Sequence, residues 1–405
     1  MKRNFLKISI VITLLIVVFT LSAFKDLTNQ EKRDKFEPVF EILNYIENNY
    51  YDIEKVDYEN ILNETLTGTM KGLEDPFAWY FTPRMTQENR IDTESKYGGI
   101  GAVVTYNSQY DCLEVVSPME GSPARKAGLK VGDLIITIDG HEVSETGYYE
   151  SVDLLRGEPG TEVRIEVIRE GLEEPINIII VREKIEIKTV KYTKFDYEET
   201  EIGYIRITQF SEPTYNEFAK ALGEVVEYDG LIIDLRDNPG GLLNSVLNIS
   251  SLLLPAGKTV ITIEERDGSK EIYRSWGSNI AEYLQNKPMI ALINEGSASG
   301  SEILTGALKD HGLATIIGAT TFGKAAVQTV YDLSNGGEIW LPTAHYLTPN
   351  GSDIHLKGIL PDITVDATET IIDSNEGMTT TEANIDFDKD IQLQKGLEVL
   401  LEEIK

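Results

Sequence analysis

The chain has 405 residues of which 41% are hydrophobic, too long for one compact core and consistent with two or three domains. Its 37 basic and 67 acidic side chains give a formal net charge of −30, a field that repels polyanions and argues against nucleic-acid or anionic-lipid binding through the body of the protein. Cys112 is the only cysteine, which permits no internal disulfide and no thiolate metal cluster.

At the N-terminus Lys2, Arg3 and Lys7 precede an uncharged run from Ile8 to Phe24 rich in Ile, Leu and Val. The run is short for a spanning helix and long for a signal-peptide core, so residues 1–25 read as either a cleaved signal or an uncleaved membrane anchor. Thr20-Leu21-Ser22 holds the small residues that cleavage needs. Either way the positive flank stays in the cytosol and the rest is exported, tethered on the extracytoplasmic side or secreted. A lipid anchor on cysteine is excluded, because no cysteine lies near this segment.

Residues 26–96 read as helical. Phe36, Val39, Phe40, Leu43 and Ile46 recur at spacings of three and four, and Ile61, Leu62, Leu66, Met70 and Leu73 repeat the pattern after the break at Tyr50-Tyr51-Asp52. Two such stripes cannot bury each other alone, so they are expected to pack on a neighbouring domain or a second subunit.

The next unit spans residues 97–183. It opens on Tyr97-Gly98-Gly99-Ile100-Gly101, a glycine-rich turn running into a strand rather than a helix, so a phosphate-binding loop is excluded by its context. Ser122-Pro123-Ala124 starts a short helix with a Ser cap and Pro at its first position, closed by Gly128; the strand Leu134 to Ile138 follows, with Asp139-Gly140 as a tight hairpin turn. In order and spacing these residues resemble a PDZ domain of the type carried by bacterial proteases. That resemblance implies β-strand addition of a peptide, with the terminal carboxylate caught by the backbone N–H groups of Gly99, Ile100 and Gly101. It also implies that Arg156, in Leu154-Leu155-Arg156-Gly157-Glu158-Pro159-Gly160, couples this domain to a catalytic one.

From residue 184 to 367 β-rich runs alternate with helical ones, as in an α/β layer fold. Ile202 to Ile207 reads as a strand, Tyr215 to Tyr228 as a helix, and Leu231 to Leu235 as a buried strand ending in Arg236-Asp237-Asn238-Pro239-Gly240-Gly241. A strand that stops at a glycine pair beside a helix start leaves N–H groups able to stabilise negative charge. Met289 to Ile293 is the next buried strand, and Asn294-Glu295-Gly296-Ser297-Ala298-Ser299 carries it into a helix from Gly300 to Leu308. This is not the Gly-x-Ser-x-Gly elbow, since Ser297 stands where that motif wants Gly. His141, His311, His345 and His355 fall at positions that suit structural or surface roles, so a Ser-His-Asp triad has little support.

The candidate base is therefore Lys324. An exposed lysine is protonated near neutrality, but Phe322, Ala325, Ala326 and Val327 supply an apolar setting, and Gln328 can orient the amine without adding charge. These segments together resemble the carboxyl-terminal processing peptidases, the S41 family of serine proteases. The similarity rests on Tyr97-Gly-Gly-Ile-Gly, the Ser122-Pro-Ala helix, Gly203-Tyr-Ile-Arg-Ile-Thr-Gln-Phe, Asp234-Leu-Arg-x-Asn-Pro-Gly-Gly, Gly296-Ser-Ala-Ser, Thr321-Phe-Gly-Lys and Gln328. It implies Ser299 as nucleophile, Lys324 as general base, Gln328 as its orienting partner, and an oxyanion hole from the N–H of Gly300 with one from Gly240 or Gly241. It further implies a multidomain α+β chain with an N-terminal helical segment, a PDZ domain and an α/β (crotonase/ClpP-like) serine protease core. The chain would act as a homodimer on polypeptides with a free C-terminus, using no metal or cofactor. Residues 368–405 complete the chain; 366–388 are acidic and read as a solvated linker, and Ile391 to Ile404 as a last amphipathic helix.

Two positions depart from the family pattern: Gly300 where Ala is usual, and Ala325-Ala326 where Gly-Ser is usual. Gly300 keeps its N–H for the oxyanion hole, while Ala325 removes backbone freedom beside the base. Two other classes compete with this reading. A catalytically silent PDZ adaptor would lack the base, and a crotonase-like acyl-CoA enzyme would need neither export nor a PDZ module.

Overall fold

The computed structural model describes residues 28–365, 383 and 389–405. Residues 1–25, read as a signal or membrane anchor, and residues 366–388, read as an acidic linker, lie outside the described residues apart from Ala383. The chain divides into two units, Met1–Gly68 and Thr69–Lys405. The first holds α1 (Asn29–Asn49) and most of α2 (Tyr58–Lys71). Thr28 opens α1 with a capping box, its hydroxyl accepting from the Glu31 N–H while the Glu31 carboxylate accepts from the Thr28 N–H. No side chain of α1 is buried, and Phe36 and Phe40 of its apolar stripe are 56% and 61% exposed. Among the described residues no helix is long and apolar enough to cross a membrane.

The second unit begins with β1 (Trp79–Phe81), a strand inside a stretch read as helical, and α3 (Pro83–Glu94), a helix within that stretch but without an apolar stripe to mark it. Three residues are too few to show a strand's alternation, and β1 exists because a distant strand pairs with it. Helix α3 is mostly polar and buries only Thr86; Thr82 caps it, accepting from the Met85 N–H, with Pro83 in its first turn.

A six-strand sheet follows, in the order β3 (Ala102–Asn107), β4 (Cys112–Pro118), β5 (Leu134–Ile138), β7 (Glu162–Ile168), β8 (Ile176–Val181), with β6 (His141–Glu142) on β5. The preceding β2 (Lys96–Gly99) pairs instead with β9 (Glu183–Glu186), closing the unit where it began. The short helix α4 (Pro123–Lys126) has the expected Ser122 cap, whose hydroxyl accepts from the Arg125 N–H. Asp139 and Gly140 make the hairpin with φ of 49° and 85°. Helix α5 (Val143–Leu155) lies over β4 and β5. Its last carbonyls, Leu154 and Leu155, accept from the buried Arg182 guanidinium, a cation placed where the helix dipole is negative.

The remaining elements, in chain order, are β10 (Val190–Tyr197), β11 (Thr200–Ile207), α6 (Thr214–Val225), β12 (Gly230–Asp234), α7 (Leu243–Leu253), β13 (Thr259–Glu265), β14 (Lys270–Arg274), α8 (Asn279–Leu284), β15 (Met289–Ile293), α9 (Gly300–Asp310), β16 (Thr315–Gly318), β17 (Ala326–Asp332), β18 (Glu338–Leu347), β19 (Ile363–Thr364) and α10 (Ile391–Ile404). Strands β10-β11-β12-β15-β16-β19 form one sheet, parallel from β11 onward. A second sheet, β1-β18-β13-β14 with β17 on β18, is antiparallel. Every residue of β12 and β15 is buried, as a parallel strand covered on both faces requires. Successive side chains divide between two cores: Ile233, Leu235 and Ala291 pack with Phe218, Val246 and Leu304 of α6, α7 and α9, while Ile232, Ile290 and Leu292 pack with Leu393, Leu397 and Leu400 of α10.

Helix α10 is also tied to the sheet by charge. Arg236, 2% exposed, donates to both oxygens of Asp234 and, through Nη1 and Nη2, to Asp390 at 2.7 Å each; Asp390 caps α10 by accepting from the Leu393 N–H. Burial alone would raise the Asp234 carboxyl, but the Arg236 charge overrides it and holds it below its ordinary value. Arg236→Met leaves two buried carboxylates without their cation and is expected to cost about 3–5 kcal/mol, with Asp390→Ala costing less because Asp234 still pairs the guanidinium. Urea denaturation of the two variants checks the order.

Candidate active site

Three adjacent parallel strands each deliver one part of the site. Strand β12 runs into Arg236–Gly241, its neighbour β15 into Ser297–Ser299, and the next neighbour β16 into Thr321–Lys324 before the chain enters β17. Their carboxyl ends lie side by side, which is where open α/β sheets place ligands. Ser299, Lys324, Gln328, Gly240 and Gly241 all line one cleft of about 490 Å³, walled further by Asn89 and Asp92 of α3 and by apolar side chains including Leu243 and Trp340.

Of the three clustered serines, two are spent on structure. Ser297 is buried and donates to the Leu235 carbonyl at 2.8 Å, and Ser301 is buried and donates to the Asn238 carbonyl at 2.9 Å. Only Ser299 lines the cleft. Its backbone sits at φ 50°, ψ −109°, a strained conformation for a residue with a Cβ. The strain is held from below. Glu302, fully buried in the first turn of α9, accepts from the N–H groups of Ser299 at 2.9 Å, Gly323 at 2.7 Å and Lys324 at 2.8 Å, and from the Thr321 hydroxyl at 2.6 Å. The Tyr346 hydroxyl makes a second link, within 3.1 Å of the Ser299 carbonyl and 2.7 Å of the Lys324 carbonyl. The backbones of residues 299 and 324 are thereby fastened to the same two side chains.

The Gly240-Gly241 turn meets this assembly closely. A Cβ on Gly240 would lie 2.7 Å from Ser299 Cβ and 2.8 Å from the Gly300 nitrogen, and one on Gly241 would lie 2.0 Å from the Phe210 carbonyl oxygen. Asn238, fully buried, stitches the turn in place: its side-chain NH₂ donates to the Ile207 carbonyl, its Oδ1 accepts from the Gly240 N–H at 2.9 Å, and its carbonyl accepts from the Ala298 N–H. The Gly240 N–H is thus already engaged. Gly300 begins α9, where first-turn N–H groups have no intrahelical acceptor.

Burial pushes the Lys324 ammonium below its ordinary pKa, against the opposing pull of the Glu302 charge. The apolar setting differs in part from the sequence reading. Ala325 and Ala326 are buried as expected, but Phe322 is 57% exposed, and the ring beside the amine is Phe77, its centroid 5.9 Å from Lys324 Nζ. The Gln328 NH₂ donates to the Phe77 carbonyl at 2.7 Å.

Gly99, Ile100, Gly101 and Arg156 lie outside the cleft lining. The carbonyls of Ile100 and Gly101 accept from Ala124 and Met119. Arg156 follows α5, lies 3.6 Å from Asp153 and 5.8 Å from the Tyr97 ring centroid, and its charge is felt by Asp92. Burial raises the Asp92 carboxyl, aided by Glu88 and opposed by Arg156. Among the described residues no group of His, Cys, Asp and Glu could hold a metal ion. Sequence reasoning missed Glu302, Tyr346, Asn238 and Phe77. For Glu302 a signal was present, because Ser299-x-x-Glu302 is the capping-box pattern. Because each Glu302 oxygen accepts from two donors, Glu302→Gln turns an NH₂ toward two of the four and is expected to lower stability by about 3 kcal/mol or more, measured as a shift in urea midpoint.

Comparison with known proteins identifies the family. A profile for peptidase family S41 matches residues 201–365, and one for PDZ domains matches 114–169. The chain is 37% identical over 316 residues to the carboxy-terminal-processing protease of Bartonella bacilliformis, covering 76% of this chain and 70% of that protein. It is 37% identical over 346 residues to the carboxy-terminal processing protease CtpB of Bacillus subtilis, covering 85% and 70%. A solved structure described as an S41 protease from Bacteroides fragilis superposes with a TM-score of 0.51 at 14% identity, covering 89% of this chain and 96% of the other, a likeness of fold. With a PDZ domain ahead of an α/β core, this chain belongs to the carboxy-terminal processing proteases, serine peptidases of family S41.

Proposed function

We propose that the protein hydrolyses exported polypeptides near their C-terminus by a serine–lysine acyl-enzyme mechanism. The observation that carries the reading is that Ser299 and Lys324 line one cleft while their backbones share the Glu302 carboxylate and the Tyr346 hydroxyl. Neutral Lys324 takes the Ser299 proton, Ser299 Oγ attacks the scissile carbonyl, and the lysine passes that proton to the leaving amine. Water then attacks the ester by the same route, Lys324 accepting its proton and returning it to Ser299 Oγ. The oxyanion is received by the N–H of Gly300 with that of Gly241, since Gly240 is engaged by Asn238.

The PDZ unit selects the chain end. Strand β3 ends its sheet, so its outer edge can take a substrate strand, with Gly99, Ile100 and Gly101 receiving the terminal carboxylate. Arg156 is taken to convey occupancy of that turn, a reading supported by its guanidinium 5.8 Å from the Tyr97 ring centroid and by its charge acting on Asp92 of the cleft. A homodimer through α1 and α2 is supported by the exposed Phe36 and Phe40, and an extracytoplasmic location by the charge pattern of residues 1–25.

Protein lacking residues 1–25, incubated with casein, tests the chemistry. Lys324→Ala is expected to slow cleavage by about 10² to 10⁴-fold and Ser299→Ala by about 10⁴-fold or more, and wild-type rates in either variant would sink the assignment. In wild type kcat/KM should rise with pH as Lys324 loses its proton, reaching its plateau below the pH at which an exposed lysine deprotonates. For the PDZ unit, a peptide with a free C-terminus should bind roughly tenfold or more tightly than its amide, by isothermal titration on Ser299→Ala protein; equal affinities would remove the carboxylate-capture role.

A further inference from the structure

The wall beside Lys324 includes a segment outside all the motifs. Asp75-Pro76-Phe77 forms a turn just ahead of β1, with the Phe77 N–H donating to Asp75 Oδ1 at 2.8 Å and the Ala78 N–H to the Asp75 carbonyl at 3.2 Å. Pro76 restricts its own φ, and β1 pairs with β18, which also carries β17 and Gln328. The turn and Gln328 are therefore anchored to one strand. Phe77 is itself 5% exposed.

Two atoms sets of Phe77 meet the site. Its carbonyl can only accept, so it fixes the Gln328 amide with the NH₂ toward Phe77 and leaves Oε1 as the amide's remaining polar atom, an acceptor. The opposite amide orientation would offer NH₂ to the amine lone pair, the pair that must take the serine proton. The ring has two opposing effects. A cation near an aromatic face gains little near the outer distance limit, whereas withholding water from an ammonium disfavours it more strongly. At 5.9 Å the second effect wins, in line with the downward displacement of Lys324 by burial.

We propose that Phe77 is a positioning residue for the lysine–glutamine pair, its carbonyl setting the Gln328 amide and its ring keeping water from Lys324. The inference rests on the reading of Lys324 as the base. The other titratable groups around the amine are Glu302 and Tyr346 beneath it, Asp92 across the cleft, and His355 behind the Phe77 ring at 5.4 Å, itself stacked on His345 at 4.5 Å. All are retained in the variants that test Phe77.

The experiment compares the pH dependence of kcat/KM toward casein in wild type, Phe77→Leu and Phe77→Ala, with Lys324→Ala alongside. The rising limb is expected to move to higher pH in Phe77→Ala, with Phe77→Leu between, so that below the wild-type midpoint Phe77→Ala is about tenfold slower while alkaline rates recover to within about threefold. A uniform loss with an unmoved limb would be a packing effect alone and would overturn the inference. Should Phe77→Ala lose its native circular dichroism, Phe77→Leu decides by the same two outcomes. Activity surviving in Lys324→Ala overturns the base assignment and this inference with it, whereas an inactive Lys324→Ala with an unmoved limb overturns the inference alone.

Discussion

The site depends on one buried carboxylate. Glu302 has no contact with solvent, yet four donors from two separate turns converge on it. A buried anion is costly unless its lone pairs are satisfied, and here each donor that satisfies it also fixes a piece of the site. The same carboxylate holds the unfavourable backbone of Ser299 and the turn that presents Lys324. Its charge is a cost to the lysine, since it favours the ammonium, and the fold overcomes that cost by withholding water from the amine.

Topology explains why those turns are neighbours. In a parallel sheet every strand ends on the same side, so β12, β15 and β16, adjacent in space, need only short extensions to bring a glycine pair, a serine and a lysine together. The antiparallel second sheet completes the cleft, because β17 begins two residues after Lys324 and carries Gln328 back along β18. One sheet thus supplies the glycine pair, the serine and the lysine, and the other a wall of the cleft they line.

Much of this was legible in the sequence because it is local. The buried strands at Leu231 and Met289, the Ser122 cap, the Asp139-Gly140 turn and the helix beginning at Gly300 are each written in a few consecutive residues, and the structure has them. What escaped was non-local. Strand β1 exists only through its pairing with β18, and Phe77 reaches Lys324 only after that pairing forms. Phe322 was read as cover for the lysine because it is near in sequence, yet it faces solvent. Glu302 was visible as a helix cap, but its bonds to Thr321, Gly323 and Lys324 depend on a contact between two strand ends that no local pattern encodes.

The clamp between Arg236 and Asp390 bears on the order in which the enzyme is made. Arg236 opens the turn that ends in Gly240-Gly241, and its second carboxylate lies 154 residues downstream, in the cap of the closing helix. While the chain is emerging, that guanidinium has only Asp234 for company, and the face of β12, β15 and β16 that receives Leu393, Leu397 and Leu400 is bare. The turn beside the serine therefore gains its full support only once α10, far downstream in the chain, has been made and docked, so that arrival of this helix is registered at the glycine turn.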